Sequence, residues 1–424
     1  MSDPASGPKL HRAMGKWDLT GIGVNQVIGG AVFLVPASLA LHLGAWSWLA
    51  VGVVGLLAMA VALNFAEAGS RFDGTGGPYL YTRAAFGRFV SFEVGWMGWV
   101  TRLTSWASIV NGLTDALGYY WPEVRVGSTR LAVMSFVVLS IMVVNLRGIR
   151  HSSTVVNVLT IGKLTPLVLF IVMGLPHVSL GALQPAESLT WAAVSATALT
   201  LIFAFGGYEV VPVPAGEARD PRRDVPFAMI MTIVIVTIVM TMAQVVALGT
   251  LPGLAASKTP LADAAALFMG AGGALLLTVG ATVSMAGNNM GAALSGSRIL
   301  YALAEHGDVP RVFAHIHRRY RTPDVAIAVT CLATLALALS GSFTKLLALS
   351  AVARLILYAG TCASVLALRR KSRAPFTIPL GPVVPLVALL VCIAILAGAT
   401  VEQLTQGGLA LIAGAVLYVI ARGR

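Results

Sequence analysis

The sequence predicts an all-α polytopic membrane protein of twelve transmembrane helices, a five-plus-five inverted repeat followed by two further helices. Three observations predict it. Of the 424 residues, 57% are hydrophobic and 11% charged, a composition that a soluble domain of this size does not sustain. Apolar stretches long enough to span a bilayer recur along the whole chain. Two of them, the first and the sixth, are interrupted by glycine pairs, at Ile28-Gly29-Gly30-Ala31 and at Phe203-Ala204-Phe205-Gly206-Gly207-Tyr208-Glu209.

The stretches run over about 17–40, 45–70, 86–120, 128–146, 152–175, 189–214, 225–251, 261–304, 323–341, 343–369, 376–399 and 404–421. The first follows Lys9, Arg12 and Lys16 as a signal peptide's apolar region would, but it is too long and holds a glycine break, so it reads as an uncleaved span. The fifth carries Lys163 and the tenth Arg354. Cys331, Cys362 and Cys392 lie in apolar segments without metal-type spacing and read as packing residues. Five spans, a broken sixth that echoes the broken first, four more and a final pair divide one domain, residues 1–424, into repeat one (about 17–175), repeat two (about 189–369) and two extra helices (about 376–421). The longest polar connection, Glu305 to Pro323, leaves no room for a soluble catalytic domain.

A net charge of +12 raises the question of nucleic acid, and the positions of the basic residues answer it. Under the twelve-span model 21 of the 29 Lys and Arg fall on one side, from Lys9, Arg12 and Lys16 through Arg71, Arg83, Arg88, Arg147, Arg150, Arg219, Arg222 and Arg223 to the Arg311–Arg321 and Arg369–Arg373 clusters and Arg422 and Arg424. Arg125, Arg130, Lys258 and Lys345 fall on the other. Basic residues concentrate in cytoplasmic loops. Both termini are therefore expected in the cytoplasm, the basic clusters touch anionic headgroups, and no nucleic acid is called for.

Glycine loosens a helix, and inside a bilayer the freed N–H and C=O groups survive only against protein, water or a ligand. Corresponding breaks in two repeats point to a transporter's binding site. The N-terminal end of the half-helix after a break offers free N–H groups and a positive dipole end to a carboxylate, which assigns that role to Gly29, Gly30 and Ala31. Carbonyls at the end of the preceding half-helix suit an ammonium group. Ile28 and the Phe203-Ala204-Phe205 stretch supply them, and Gly206 and Gly207 allow close approach.

Lys163 lies deep in an apolar span, and intramembrane ionisable residues are functional by default. Burial disfavours a charged ammonium, so Lys163 is expected to exchange a proton as the protein cycles. The alternative is a lysine that snorkels to the cytoplasmic face, near Arg147 and Arg150. Glu209, just after the second break, and Arg354 could meet as a buried pair, and Glu209 joins Lys163 as a candidate coupling residue. Glu67, Glu93, Arg102 and Arg298 read as packing or gate contacts near span ends, and Glu217, Arg219, Asp220, Arg222 and Arg223 as a solvated exit loop.

No nucleotide-binding loop or His-Glu-x-x-His motif occurs, and the seven histidines are scattered or in loops. The chain reads as no enzyme, with no metal and no cofactor. Work would be driven by gradients or exchange.

From Gly21 to about Arg373 the chain resembles the amino acid, polyamine and organocation transporter superfamily. The matching pieces are Asn25 to Pro36, Gly76-Gly77-Pro78-Tyr79-Leu80-Tyr81 with Phe86-Gly87, Gly95-Trp96, Asn145-Leu146-Arg147-Gly148, Phe203 to Glu209 with Glu217, Asp220-Pro221 and Pro226, and Arg298, Tyr301 to Ala304, Gly307, Pro310 and Thr322-Pro323. The resemblance implies the leucine-transporter fold and secondary transport of amino acids or related amines across the cell membrane. It also implies an aromatic lid at Phe203, and a fifth-helix lysine, Lys163, that stands in for sodium against the first helix.

The function expected is a secondary active amino acid transporter, proton-coupled or exchanging, that alternates access around a midplane site, as a monomer or homodimer. A neutral substrate is favoured, because no carboxylate beyond Glu209 reaches the pocket. Two alternatives stay open: an antiporter of cationic amino acids or polyamines, and a nontransporting amino-acid sensor on the same fold.

Overall fold

The computed structural model describes residues 10–185, 188–340 and 343–422, and the side chains of some residues inside helices, Phe203 among them, lie outside the described residues. The chain is helical almost throughout: α1 (Lys16–Val27), α2 (Ala31–Leu43), α3 (Ser47–Gly69), α4 (Pro78–Phe86), α5 (Arg88–Tyr120), α6 (Gly127–Leu146), α7 (Ile149–Gly174), α8 (Trp191–Phe205), α9 (Pro221–Thr250), α10 (Pro260–Glu305), α11 (Asp324–Ser340), α12 (Phe343–Arg369), α13 (Val383–Ala397) and α14 (Val401–Arg422). Among the described residues there is no strand, only an isolated parallel bridge between Met14 and Ala218. Among the described residues seven helical stretches are long and apolar enough to cross a membrane, and α11 and α13 are shorter apolar helices. The protein is a multi-pass membrane protein.

The first apolar stretch divides as its glycines foretell, into α1 and α2 on either side of Ile28, Gly29 and Gly30. Neither glycine of the pair is in the left-handed region. Their value is space: a Cβ on Gly29 would lie 3.0 Å from the Asn288 amide nitrogen, and one on Gly30 would reach the Met285 side chain at 3.5 Å. The sixth stretch differs from the expected pair of half-helices. After α8 the chain runs through 3₁₀ turns at Tyr208–Val210 and Ala215–Glu217 and does not resume an α-helix until Pro221. The cause is local, because Pro212 and Pro214 lack the N–H that a helix needs and Val210, Val211 and Val213 around them are β-branched.

Two segments share an unusual construction. α4 opens with Pro78 and ends at Gly87 (φ 85°, ψ −169°), beyond which α5 begins. The opening segment of α10 starts with Pro260 and bends at Gly270 (φ 68°, ψ −165°), beyond which its long arm begins. Proline suits the first turn of a helix, and only glycine adopts that φ, ψ combination without strain.

Within the bundle α10 is the central element, packed against α1, α2, α5, α6, α7, α9 and α11. α3 lies along α9, α12 along α5, and α1 is held between α7, α9 and α10. The largest apolar core gathers α1, α2, α3 and α9, with Leu19, Ile22, Phe65, Met229 and Val236 fully buried. It fixes the break between α1 and α2 against two polar walls, from α7 and α10.

Candidate functional site

A helix that ends inside a membrane leaves up to four C=O groups without intrahelical partners, and at the end of α1 these can be followed one by one. The Asn25 carbonyl accepts from Lys163 Nζ at 2.9 Å, and the Gln26 carbonyl from Asn288 Nδ2 at 2.8 Å. The Val27 carbonyl takes the Gly29 N–H at 2.8 Å. The Ile28 carbonyl accepts twice, from Lys163 Nζ at 2.7 Å and Ser284 Oγ at 2.9 Å. Ser284 Oγ also lies 3.0 Å from the Gly29 carbonyl. In return, Asn25 Nδ2 donates to the Gly287 carbonyl and Gln26 Nε2 to the Asn288 carbonyl, both at 2.6 Å. Side chains of α7 and α10 thus take the Asn25, Gln26 and Ile28 carbonyls, and the backbone N–H of Gly29 takes that of Val27.

Lys163 does not snorkel. It is fully buried, and its third acceptor is the Ser284 carbonyl at 3.0 Å. Three hydrogen bonds from a charged donor contribute roughly 1.5–3 kcal/mol each. That is the scale of the several kcal/mol that burial of an ammonium costs. A cation seated on backbone carbonyls between the end of α1 and α10 occupies the kind of place that suits a bound metal cation.

The N–H side of the break is different. Among the described residues the N–H groups of Gly30, Ala31 and Val32 have no acceptor, while Gly30 and Ala31 are half-buried. Two sequence assignments change here. The Gly29 N–H is turned back onto Val27, and the Ile28 carbonyl, expected to take a substrate ammonium, is held by the Lys163 ammonium, with the single Ser284 hydroxyl proton shared between it and the Gly29 carbonyl. Gly30 and Ala31 keep the geometry for a carboxylate at a helix N-terminus.

At the second break Gly207 (φ 131°) packs on the first, since a Cβ there would lie 2.6 Å from the Gln26 carbonyl oxygen. Ala204 and Phe205 are buried, and Gly206 faces the Arg354 guanidinium so closely that a Cβ would collide with it. The side chain of Phe203, expected to form a lid, lies outside the described residues. Tyr208 belongs to an aromatic core, stacked on Tyr358 at 5.2 Å and edge-on to Phe65.

Glu209 is the hub below this break. Its Oε1 accepts from Arg102 Nη2 at 2.5 Å and Arg354 Nε at 3.0 Å. Its Oε2 accepts from Tyr358 Oη at 2.6 Å and the Gly207 N–H at 2.8 Å. Glu209 and Arg354 do meet. Arg102, read from sequence as a contact near a span end, is instead a buried partner of Glu209 and reaches Gln26 Oε1 at 3.4 Å. Arg102, Arg354 and Glu209 also line a cavity with Gly98, Thr101, Ile299 and Leu357.

A second belt of charge lies toward the basic side. Arg298 grips Glu217 through Nε (2.9 Å) and Nη2 (3.1 Å), both side chains fully buried. Glu217 is therefore no part of a solvated loop: the 3₁₀ turn folds it inward, and its carbonyl accepts from the Ala13 and Met14 N–H groups. Asp308 binds Arg83 (2.6 Å), Arg88 (2.9 Å) and the Tyr79 hydroxyl (2.6 Å), and Glu67 binds Arg369 and the Ile378 N–H. Together these join α3, α4, α10, α12 and the segment before α1.

Ser284, Asn288, Tyr358 and Arg102 were not singled out for the site by sequence. The run Ser284-Met285-Ala286-Gly287-Asn288-Asn289 is the signal that marks α10, since small and amide residues crowd an otherwise apolar helix there.

Comparison with known proteins agrees with this architecture. The family model for amino acid permeases matches residues 14–421. The chain is 27% identical to the serine/threonine exchanger SteT of Bacillus subtilis over 414 residues, 92% of either chain. It is 26% identical to the branched-chain amino acid permease BcaP of the same organism over 443 residues, 98% of this chain and 94% of that one. It is also 27% identical to the arginine/agmatine antiporter of Chlamydia abortus over 350 residues, 77% of this chain and 71% of that one. Its match to the family model over nearly its whole length places the chain in the amino acid permease family, within the amino acid, polyamine and organocation transporter superfamily.

Proposed function

We propose that this protein is a secondary transporter of amino acids in the cytoplasmic membrane, alternating access around the two helix breaks, with Lys163 as the group that couples movement to protons or to exchange. The observation that carries this reading is the break at residues 28–30, where a buried ammonium holds the carbonyl end of α1 and the N–H end of α2 is left to a ligand. The substrate carboxylate caps Gly30 and Ala31. Glu209, saturated by four donors, has nothing left for a substrate cation, which favours amino acids without additional positive charge over arginine, agmatine or polyamines.

The twelve-span, five-plus-five arrangement belongs to the proposal. Exchange of the two repeats sends the α7–α10 contact onto α12–α5, and maps α3–α9 and α5–α10 onto themselves; all four are extensive in the bundle. The Pro-led segments that end at Gly87 and Gly270 fall at corresponding places after the second and seventh spans. Both termini are cytoplasmic by the distribution of basic residues, so the Glu217–Arg298 and Asp308 contacts seal the cytoplasmic side.

The test is uptake into proteoliposomes of the purified protein, with labelled amino acids, an imposed proton gradient or internal amino acid, and sodium absent. Uptake under either drive supports transport. Binding by thermal shift without any flux supports the sensor.

A further inference from the structure

Resting on that reading of the site, we infer that the substrates are acidic amino acids and that Arg102 takes the side-chain carboxylate. Two guanidinium groups, Arg102 on α5 and Arg354 on α12, share one carboxylate. A carboxylate offers about four acceptor positions, and at Glu209 all are used, by the two arginines, Tyr358 and the Gly207 N–H. This local group carries more positive than negative charge, and among the described residues the cavity beside it has Glu209 as the one carboxylate in its lining. Both arginines are almost wholly buried, so their field is poorly screened. An anion is attracted to such a place and a second cation is repelled.

Arg102 is the arginine with capacity to spare. A guanidinium has five N–H donors, and the second contact of Arg102, to Gln26 Oε1 at 3.4 Å, is long for a hydrogen bond. Gln26, which Arg102 reaches, lies just before the break at residues 28–30 that leads into α2. One molecule would place its α-carboxylate on the N–H groups of α2 and a side-chain carboxylate on Arg102.

The experiment uses full-length protein in proteoliposomes and measures uptake of labelled aspartate, glutamate, serine, leucine and arginine, each also as an unlabelled competitor. Aspartate or glutamate should compete at least roughly tenfold better than serine or leucine, and arginine should fail to compete. Arg102→Gln should lower the preference for glutamate over serine by roughly tenfold or more, and Arg102→Lys, which keeps the charge, should restore part of it. Serine or leucine uptake without glutamate uptake overturns the acidic-substrate inference and leaves the transporter reading standing. An unchanged glutamate-to-serine ratio in Arg102→Gln overturns the role of Arg102. If no amino acid is carried under any drive, both the inference and the transporter reading fail.

Discussion

Lys163 Nζ lies 2.7 Å from the Ile28 carbonyl, the last acceptor before the chain breaks away from α1. The same ammonium holds the Asn25 and Ser284 carbonyls, so one side chain of α7 ties the end of α1 to α10. Any movement of α1 relative to α7 must break or rebuild these bonds. A charge stripped of them in a dry bundle is costly, and release of the proton removes the cost. This gives a route by which protonation and helix position depend on one another.

The N-terminal end of α2 gives the first prediction. Gly30→Ala should keep binding, because its Cβ meets Met285 at an ordinary 3.5 Å, whereas Gly30→Val should abolish it by filling the space a carboxylate needs. Thermal shift against amino acids measures both. Normal affinity in a folded Gly30→Val protein would remove the cradle from this position.

Gly207 should tolerate less than Gly30. Gly207→Ala meets the Gln26 backbone at 2.6 Å and must adopt φ 131°, two faults that together cost about 3 kcal/mol or more. The expected result is a lower thermal midpoint in detergent and loss of uptake. A Gly207→Ala protein of wild-type stability would show that the two breaks do not pack as described.

For the gate on the basic side, Glu217→Gln should release Arg298 from its only bidentate partner among the described residues. Breaking a buried pair of this kind by removing one charge costs about 3–5 kcal/mol. Cysteine accessibility at Thr75, whose hydroxyl packs on Gly216 beside Glu217, should rise from the cytoplasmic face. Unchanged labelling would mean that this pair does not seal the path.

Phe203 is predicted to occlude the substrate. Phe203→Ala should reduce uptake more than it reduces stability, with Phe203→Leu intermediate. Wild-type uptake in both variants would assign the residue to packing alone.

The breaks and Lys163 were legible in the sequence because a bilayer makes both expensive: an interrupted helix and an intramembrane ammonium each demand a partner, and few residues compete for attention in an apolar background. The partners themselves were not legible. Ser284 and Asn288 are small polar residues of a type common in membrane helices, and only the bundle brings them to the end of α1. Arg102 lies near the middle of the third stretch both as read (86–120) and as α5 (Arg88–Tyr120), so its depth was legible and only its partner, Glu209 from the second break, was not. Glu217 looked solvated beside Arg219, Asp220, Arg222 and Arg223, yet the 3₁₀ turn carries it inward. The irregular second half of the sixth stretch had a visible cause in Pro212 and Pro214, outweighed in the reading by the analogy with the first.

The central claim is that Lys163 titrates during the cycle. Its most direct measurement is the initial uptake rate in proteoliposomes across about three pH units, wild type beside Lys163→Ala, with an imposed proton gradient and no sodium. Wild-type uptake should rise as the external side is acidified, and Lys163→Ala should lose that dependence and most of its net uptake while still binding substrate at the backbone of residues 30–31. Sodium-dependent uptake by the wild type, or a full pH response in Lys163→Ala, would contradict it.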